Sequence, residues 1–231
     1  MQLQRHDLVD FVPAYHARLA EVAVEGLLPC CRQHDVAPKV EAFLHQHPLP
    51  GIVCRPVQEV GADQVQLGLS FPFRVEGVRV RSSLLVDKPM IARVISPFDL
   101  VSGARLASPA FQAMLDEITL AAERCGLQMG LIGSAALEIH TGHGYTSASS
   151  DLDLVVKAAS HDCLKEFYLT ISNIGQDYGR ATDAEVILAD GNGVKLSELV
   201  SKSPNILAKS LTDVCLLNRD SVLKTLVVAA E

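Results

Sequence analysis

The sequence predicts an α+β protein in two parts: a small α+β domain with an antiparallel sheet over residues 1–100, and a second domain over residues 108–231 whose helices flank a mixed sheet. Three observations carry this. The chain has 231 residues, enough for one large domain or two small ones. After a helical opening, its texture changes near Gly51 to short β-branched runs broken by Gly, Pro and Asp. The stretch from Ser96-Pro97-Phe98 to Ser108-Pro109 is punctuated by Pro, Gly and Ser, and beyond it helical and strand patterns alternate.

Residues 1 to about 45 read as helical. Val9, Val12, Leu19, Val22, Ala23 and Leu27 approximate one face, with Pro13 near a start and Pro29 near a stop. The segment His45 to Gly51, rich in His and Pro, is a turn; its two histidines have no third ligand at a supporting spacing, so no metal is assigned to them. Gly51–Arg55, Val65–Leu69 and Val78–Arg81 follow as strands, the last with its valines on one side and Arg79 and Arg81 on the other.

Phe111 to Arg124 is the clearest amphipathic helix. Phe111, Met114, Leu115, Ile118 and Ala122 recur at helical spacing, Ser108 is placed to cap the start, and Gly126 the end. A strand at Leu127–Ile132, a short helix at Ala135–His140 and a strand at Leu152–Val156 come next. Ser160 caps a further helix to about Asn173, followed by a strand at Asp183–Leu188, a short helix at Leu196–Val200 and an apolar run at Val214–Leu217.

Composition narrows the class. Hydrophobic residues make up 48% and charged residues 20%, as in an ordinary globular protein. Neither an apolar leader nor a run of membrane-helix length is present, and the six cysteines form no Cys-x-x-Cys pair, so a cytoplasmic protein with reduced thiols and no membrane association is expected. A net charge of −7 argues against nucleic acid as a partner. Arg74, Arg79, Arg81, Lys88 and Arg93 nevertheless gather in one 20-residue window, a local basic strip for a phosphate-rich ligand, an acidic partner or simply solvent.

The chemistry concentrates between Leu131 and Val156. Gly133 lets a ligand approach the backbone and Ser134 adds a hydroxyl; the amides opening the following helix suit a phosphate. Asp151 and Asp153, two apart on a strand that continues into Leu154-Val155-Val156, leave the same face. Two carboxylates beside a phosphate cradle make a site for a hard divalent cation on a polyphosphate. A third acid is offered by Asp183 or Glu185, which share a facing; Asp183 is preferred.

Gly-Ser followed by Asp-x-Asp resembles the nucleotidyltransferase superfamily related to DNA polymerase β. Helix, strand, turn, helix, strand, helix, strand is the order of that superfamily's core, and its third acid often follows an arginine, as Asp183 follows Arg180 here. The longer string Gly133-Ser134, Leu137, Thr141-Gly142, Tyr145 and Ser150-Asp151-Leu152-Asp153-Leu154 resembles phosphoribosyl-dephospho-CoA transferases, the holo-carrier-protein synthases of malonate decarboxylase. Arg5-His6-Asp7-Leu8-Val9 resembles the opening of the same family. The sixteen residues between Ser134 and Asp151 exceed the spacing of the shortest superfamily members, and this long loop is part of the resemblance.

The resemblance implies a polymerase-β-like catalytic domain over 108–231 and a substrate- or carrier-binding domain over 1–100, with Arg55, Arg79 and Arg81 available to CoA phosphates or an acidic carrier. Asp151, Asp153 and Asp183 would be catalytic and hold Mg²⁺. Gly133, Ser134, Thr141, Tyr145 and Lys209 would bind substrate, Lys209 being chosen over Lys195 and Lys202 to neutralise the leaving diphosphate. The implied reaction moves phosphoribosyl-dephospho-CoA from triphosphoribosyl-dephospho-CoA to a serine of the malonate decarboxylase acyl carrier protein. Two other readings stay open: transfer of a nucleotide from ATP to another hydroxyl, and a non-catalytic, antitoxin-like nucleotide-binding module.

Overall fold

A computed structural model describes residues 2–57 and 59–228, with side chains as far as residue 226. The chain divides into two compact units, Met1–Ser96 and Pro97–Glu231.

In the first unit, β1 (Leu8–Phe11) leads through a 3-10 turn into α1 (His16–Glu25), α2 (Pro29–Arg32) and α3 (Ala37–Gln46); β2 (Gly51–Val53), β3 (Gln64–Val75), β4 (Val78–Asp87) and β5 (Ile91–Ile95) follow. The five strands form one sheet, ordered β4-β3-β2-β1-β5 and antiparallel throughout. Pro13 and Pro29 each open a helical turn, where a missing N–H leaves no bond unmade. Residues 8–11 correct the helical reading of the opening. Leu8, Val9 and Phe11 do carry apolar side chains at a helical start, but they are buried as a strand between β2 and β5. Four residues are too few for periodicity to separate the two. The basic strip is dispersed: Arg79 Nη1 donates to the Phe71 carbonyl at 3.2 Å, Arg74 Nη1 to Gly77 at 2.9 Å, and Arg93 lies 3.4 Å from Asp10.

The second unit opens with a 3-10 turn (Pro97–Leu100) and α4 (Pro109–Arg124), capped by Ser108 Oγ, which accepts from the Phe111 amide. Then come β6 (Met129–Leu131), α5 (Gly133–Thr141), β7 (Leu152–Lys157), α6 (His161–Asp177), β8 (Thr182–Ile187), β9 (Gly193–Lys195), α7 (Leu196–Val200), β10 (Asn205–Lys209), β11 (Val214–Asn218) and α8 (Arg219–Val228). Ser160 Oγ caps α6 by accepting from the Cys163 amide. The strands form a six-stranded sheet, β11-β10-β9-β8-β7-β6, in which β7 and β8 run parallel and the other pairs antiparallel. The architecture is thus α+β, an antiparallel sheet and a mixed sheet each flanked by helices.

Alternation along the strands separates two faces of the mixed sheet. Leu152, Leu154 and Val156 of β7, Ala184 and Val186 of β8, Val194 of β9 and Ile206 and Ala208 of β10 are buried on one. They share the core with Phe111, Met114, Leu115 and Ile118 of α4 and Leu164, Phe167 and Ile171 of α6. The register of β7 against β8 is strongly specified, because a slip of one residue would turn Leu154 and Val156 out of the core. The opposite face carries the acids. Among the described residues no helix is long and apolar enough to cross a membrane.

Candidate active site

The parallel pairing of β7 and β8 places Asp153 directly beside Asp183, with Val155 beside Glu185. Both acids are half-buried. Asp183 is therefore the β8 carboxylate level with Asp153, and Glu185 lies one pleat repeat, about 7 Å, further along. Asp151 immediately precedes β7 and is exposed.

Gly133 abuts Asp153. It has φ +66°, and a Cβ built there would overlap Asp153 Oδ2 and lie 3.1 Å from Cγ. A side chain is thus excluded twice, by backbone conformation and by the carboxylate. The Ile132 amide donates to the Asp153 carbonyl at 3.1 Å, tying the turn to β7. Gly133 and Ser134 form the first turn of α5, and no side chain caps that end. Its amides open beside the acids, and Gly133 is exposed.

β9 runs antiparallel to β8 with Lys195 opposite Glu185, and the lysine reaches diagonally to Asp183: Nζ lies 2.6 Å from Oδ2. That hydrogen bond, then the charge of Asp183, holds the ammonium above the usual lysine range; burial opposes them, and Glu198 and Asp153 add smaller contributions in the same direction. Lys209 stands elsewhere. It pairs with Gly193, which pairs with Ile187, so its backbone lies roughly 13 Å along the strand direction and about 10 Å across from Asp183. A lysine side chain cannot span that offset, and Lys195 occupies the place envisaged for Lys209.

The long loop after α5 is pinned by two charged side chains. Glu138 is buried within α5. Its Oε1 accepts from the Ala107 amide at 2.9 Å; its Oε2 accepts from the amides of Tyr145 (3.0 Å) and Thr146 (2.7 Å) and from the Thr146 hydroxyl (2.7 Å). Burial pushes this carboxyl up, but the four hydrogen bonds outweigh it and hold the group below the usual glutamate range. Arg180 Nη1 donates to the carbonyls of Ser147 (2.8 Å) and Ser150 (3.1 Å), while its guanidinium sits 4.5 Å from the Phe111 ring centroid.

Two of the substrate candidates serve this loop instead. Tyr145 is only 1% exposed, so its side chain packs in the interior and presents no surface to a ligand. Thr141 Oγ1 donates to Leu137 O at 2.7 Å and accepts from the His143 amide at 3.1 Å, closing α5 ahead of Gly142. Glu138 escaped sequence reading, although a lone carboxylate in Ala-Ala-Leu-Glu-Ile was its signal.

Asp153 and Asp183 present hard oxygen donors on one side of the sheet, next to a turn where a Cβ would fill the space, and Asp151 immediately precedes β7. In kind and facing this suits a hard divalent cation. They are not closed into a cage: among the described residues, no group of three or more His, Cys, Asp or Glu could hold a metal as placed. Carboxylates without a cation repel each other, and Asp183 is engaged by Lys195. A groove of about 370 Å³ lined by Leu188, Asp190, Leu216 and Val222 opens at the other end of β8 and includes none of these residues.

Acids beside an open helix N-terminus form the kind of site used by transferases that handle phosphate esters. The chain belongs to the phosphoribosyl-dephospho-CoA transferase family: residues 4–97 match the family's MdcG N-terminal domain and residues 99–220 its MdcG C-terminal domain. A phosphoribosyl-dephospho-CoA transferase of Xanthomonas euvesicatoria pv. vesicatoria is 29% identical over 171 residues, covering 74% of this chain and 79% of that protein. One from Bradyrhizobium diazoefficiens is 30% identical over 158 residues, 68% of this chain and 69% of its own length. One from Xanthomonas campestris pv. campestris is 28% identical over 160 residues, with 69% and 74% covered. No solved structure gives a significant match.

Proposed function

We propose that the protein transfers the phosphoribosyl-dephospho-CoA group from triphosphoribosyl-dephospho-CoA to a serine hydroxyl of the acyl carrier protein of malonate decarboxylase. The serine oxygen forms a bond to the α-phosphorus, the bond from that phosphorus to the bridging oxygen breaks, and diphosphate leaves. The serine proton passes to a carboxylate or to water. The observation that carries this reading is the adjacency of Asp153, Asp183 and the Gly133 turn, in a chain whose family is named for transfer of this group.

Each part of the site has a task in this reaction. Asp151, Asp153 and Asp183 would hold Mg²⁺, which supplies charge neutralisation at the attacking and leaving oxygens. The α5 amides at Gly133 and Ser134 bind phosphate oxygens, favoured by the helix dipole. Lys195, already protonated, offers a further positive charge on the same face. The loop after α5, held by Glu138 and Arg180 ahead of Asp151, would lie against the bound ligand or orient Asp151. A hydroxyl is a weak nucleophile at neutral pH, so the residues contribute chiefly by positioning and electrostatic stabilisation. In the first unit the exposed Arg55 and Arg81 are assigned to the CoA phosphates or to an acidic carrier surface; Arg79 is committed to the Phe71 carbonyl.

The test is direct. Incubating the protein with the precursor, the apo-carrier and Mg²⁺ should add the mass of phosphoribosyl-dephospho-CoA to the carrier, read by mass spectrometry. No mass gain with an active control, or label arriving from ATP without the precursor, would replace this reading by a nucleotidyl transfer to another acceptor or by a binding role.

A further inference from the structure

Lys195 is held in an unusual way for a surface ion pair. Its register partner across β8 is Glu185, yet its ammonium lies on Asp183, the acid beside Asp153. Its backbone has little freedom. Val194 is completely buried and pairs with Val186 on one side and Ala208 on the other; Leu196, also completely buried, starts α7. The side chains are different: 44% of Lys195 and 46% of Asp183 is exposed. Half-exposed pairs of this kind contribute little to stability and exchange readily. A fixed backbone bearing a displaceable ammonium describes a counter-ion better than a brace.

We propose that Lys195 is the resident counter-ion of the acid face, holding on Asp183 the place that a divalent cation takes, so that the free protein binds the cation weakly until the lysine moves aside. This rests on the reading in which Asp151, Asp153 and Asp183 hold Mg²⁺. A doubly charged ion at Asp183 and the Lys195 ammonium a few ångströms away repel each other, and only one can occupy Oδ2. Bound polyphosphate relieves the repulsion by giving the displaced ammonium an anionic partner. Cation and polyphosphate therefore bind with positive coupling, and the acids are kept from attracting stray cations beforehand. Lys195 is in this role a positioning residue for the metal ligands and, once displaced, a phosphate contact.

Competition is read without turnover by titrating Mn²⁺ into the full-length protein and counting free ion by electron paramagnetic resonance. Lys195→Met keeps the apolar stem and removes the charge; Lys195→Gln is a second neutral variant, guarding against a packing defect in the first. Both should bind Mn²⁺ tighter than the parent, on the order of tenfold, while Lys195→Arg, which keeps the charge, should stay near the parent. Unchanged or weaker binding in both neutral variants would overturn the proposal. Asp153→Asn in the same titration separates the two levels of inference. If it weakens Mn²⁺ binding while the neutral lysine variants leave it alone, the acids hold metal and only the competition is wrong. If no protein binds Mn²⁺ and Asp153→Asn changes nothing, the metal reading and the competition fall together.

Discussion

The two sides of the candidate site are built on different principles. On the sheet side, Asp153, Asp183 and Lys195 sit on β7, β8 and β9, whose backbones are locked by continuous pairing. On the loop side, residues between α5 and β7 lie outside the strands; Glu138 and Arg180 bind their backbone groups from outside the loop, and Thr141 and Ser150 add short-range bonds to the His143 and Ser147 amides. The sheet side stores its geometry in many cooperating bonds, so a single change there alters chemistry while leaving position intact. The loop side stores its geometry in a few side-chain bonds, with Glu138 and Arg180 making the long-range ones, so a change there alters position while leaving the chemical groups in place. Substitutions can separate these two kinds of failure.

The sharpest break should come on the sheet side. Asp153→Asn keeps size and pairing but removes the charge central to the acid face, and the proposed transfer should fall by about 10³-fold or more. Far-ultraviolet circular dichroism and the melting temperature should remain near the parent, because Asp153 is half-exposed. A folded protein that keeps its activity would mean that the acid face is not the reaction centre. Gly133→Ala tests the junction between the sides. Its Cβ would press on the Asp153 carboxylate, and φ +66° disfavours any side chain. A destabilisation of about 1–3 kcal/mol by urea unfolding is expected, with transfer reduced on the order of 100-fold because the carboxylate and the α5 amides must part.

The sheet side was also the more legible. The acid pair announced itself because Leu152, Leu154 and Val156 fix which way Asp153 faces, and the α4 and α6 caps at Ser108 and Ser160 follow from local hydrogen bonding. Lys195 stood among the three candidate lysines, but nothing local favoured it over Lys209: β9 is three residues long, too short for alternation to register, and its pairing with β8 is non-local. β1 was hidden for the same reason, as a four-residue strand among helical signals. The loop clamp was less visible still. Glu138 and the amides it gathers are separated by seven or more residues, and Arg180 is 30 or more residues from its partners. Burial of a lone charge becomes meaningful only when the fold shows what it touches. Tyr145 misled in the opposite direction, since an aromatic residue in a polar loop invites a binding role that its burial removes.

Breaking the loop side should cost less activity and more stability. Glu138→Gln replaces an acceptor of three loop hydrogen bonds, and a fourth from Ala107, by an amide that can accept with one oxygen only. Unfolding free energy should drop by about 1–3 kcal/mol, and transfer by roughly tenfold through misplacement of the loop. The same residue sets a pH dependence whose sign is fixed by its lowered folded-state value. A carboxyl that ionises more readily in the folded than in the unfolded chain stabilises the fold above the ordinary glutamate range and loses that contribution as pH falls through the folded value. The parent should therefore lose stability more steeply than Glu138→Gln as the pH drops from about 4.3 downward, measured by urea unfolding at successive pH values. Parallel curves would show that the Glu138 charge does not hold the loop.

The mildest break is Arg180→Lys. The charge remains, but one ammonium cannot reproduce both the fork to Ser147 and Ser150 and the planar stack on Phe111. Because Glu138 still anchors Tyr145 and Thr146, only the last turn before Asp151 should loosen. Transfer should fall by a few-fold, roughly 3 to 10, with the loss appearing in KM for the precursor if the loop covers the ligand and in kcat if it mainly orients Asp151. Combining Arg180→Lys with Glu138→Gln then tests whether the two clamps act on one loop. Double-mutant coupling above about 0.5 kcal/mol in unfolding free energy indicates a shared element, and strict additivity would mean that each side chain supports its own end independently.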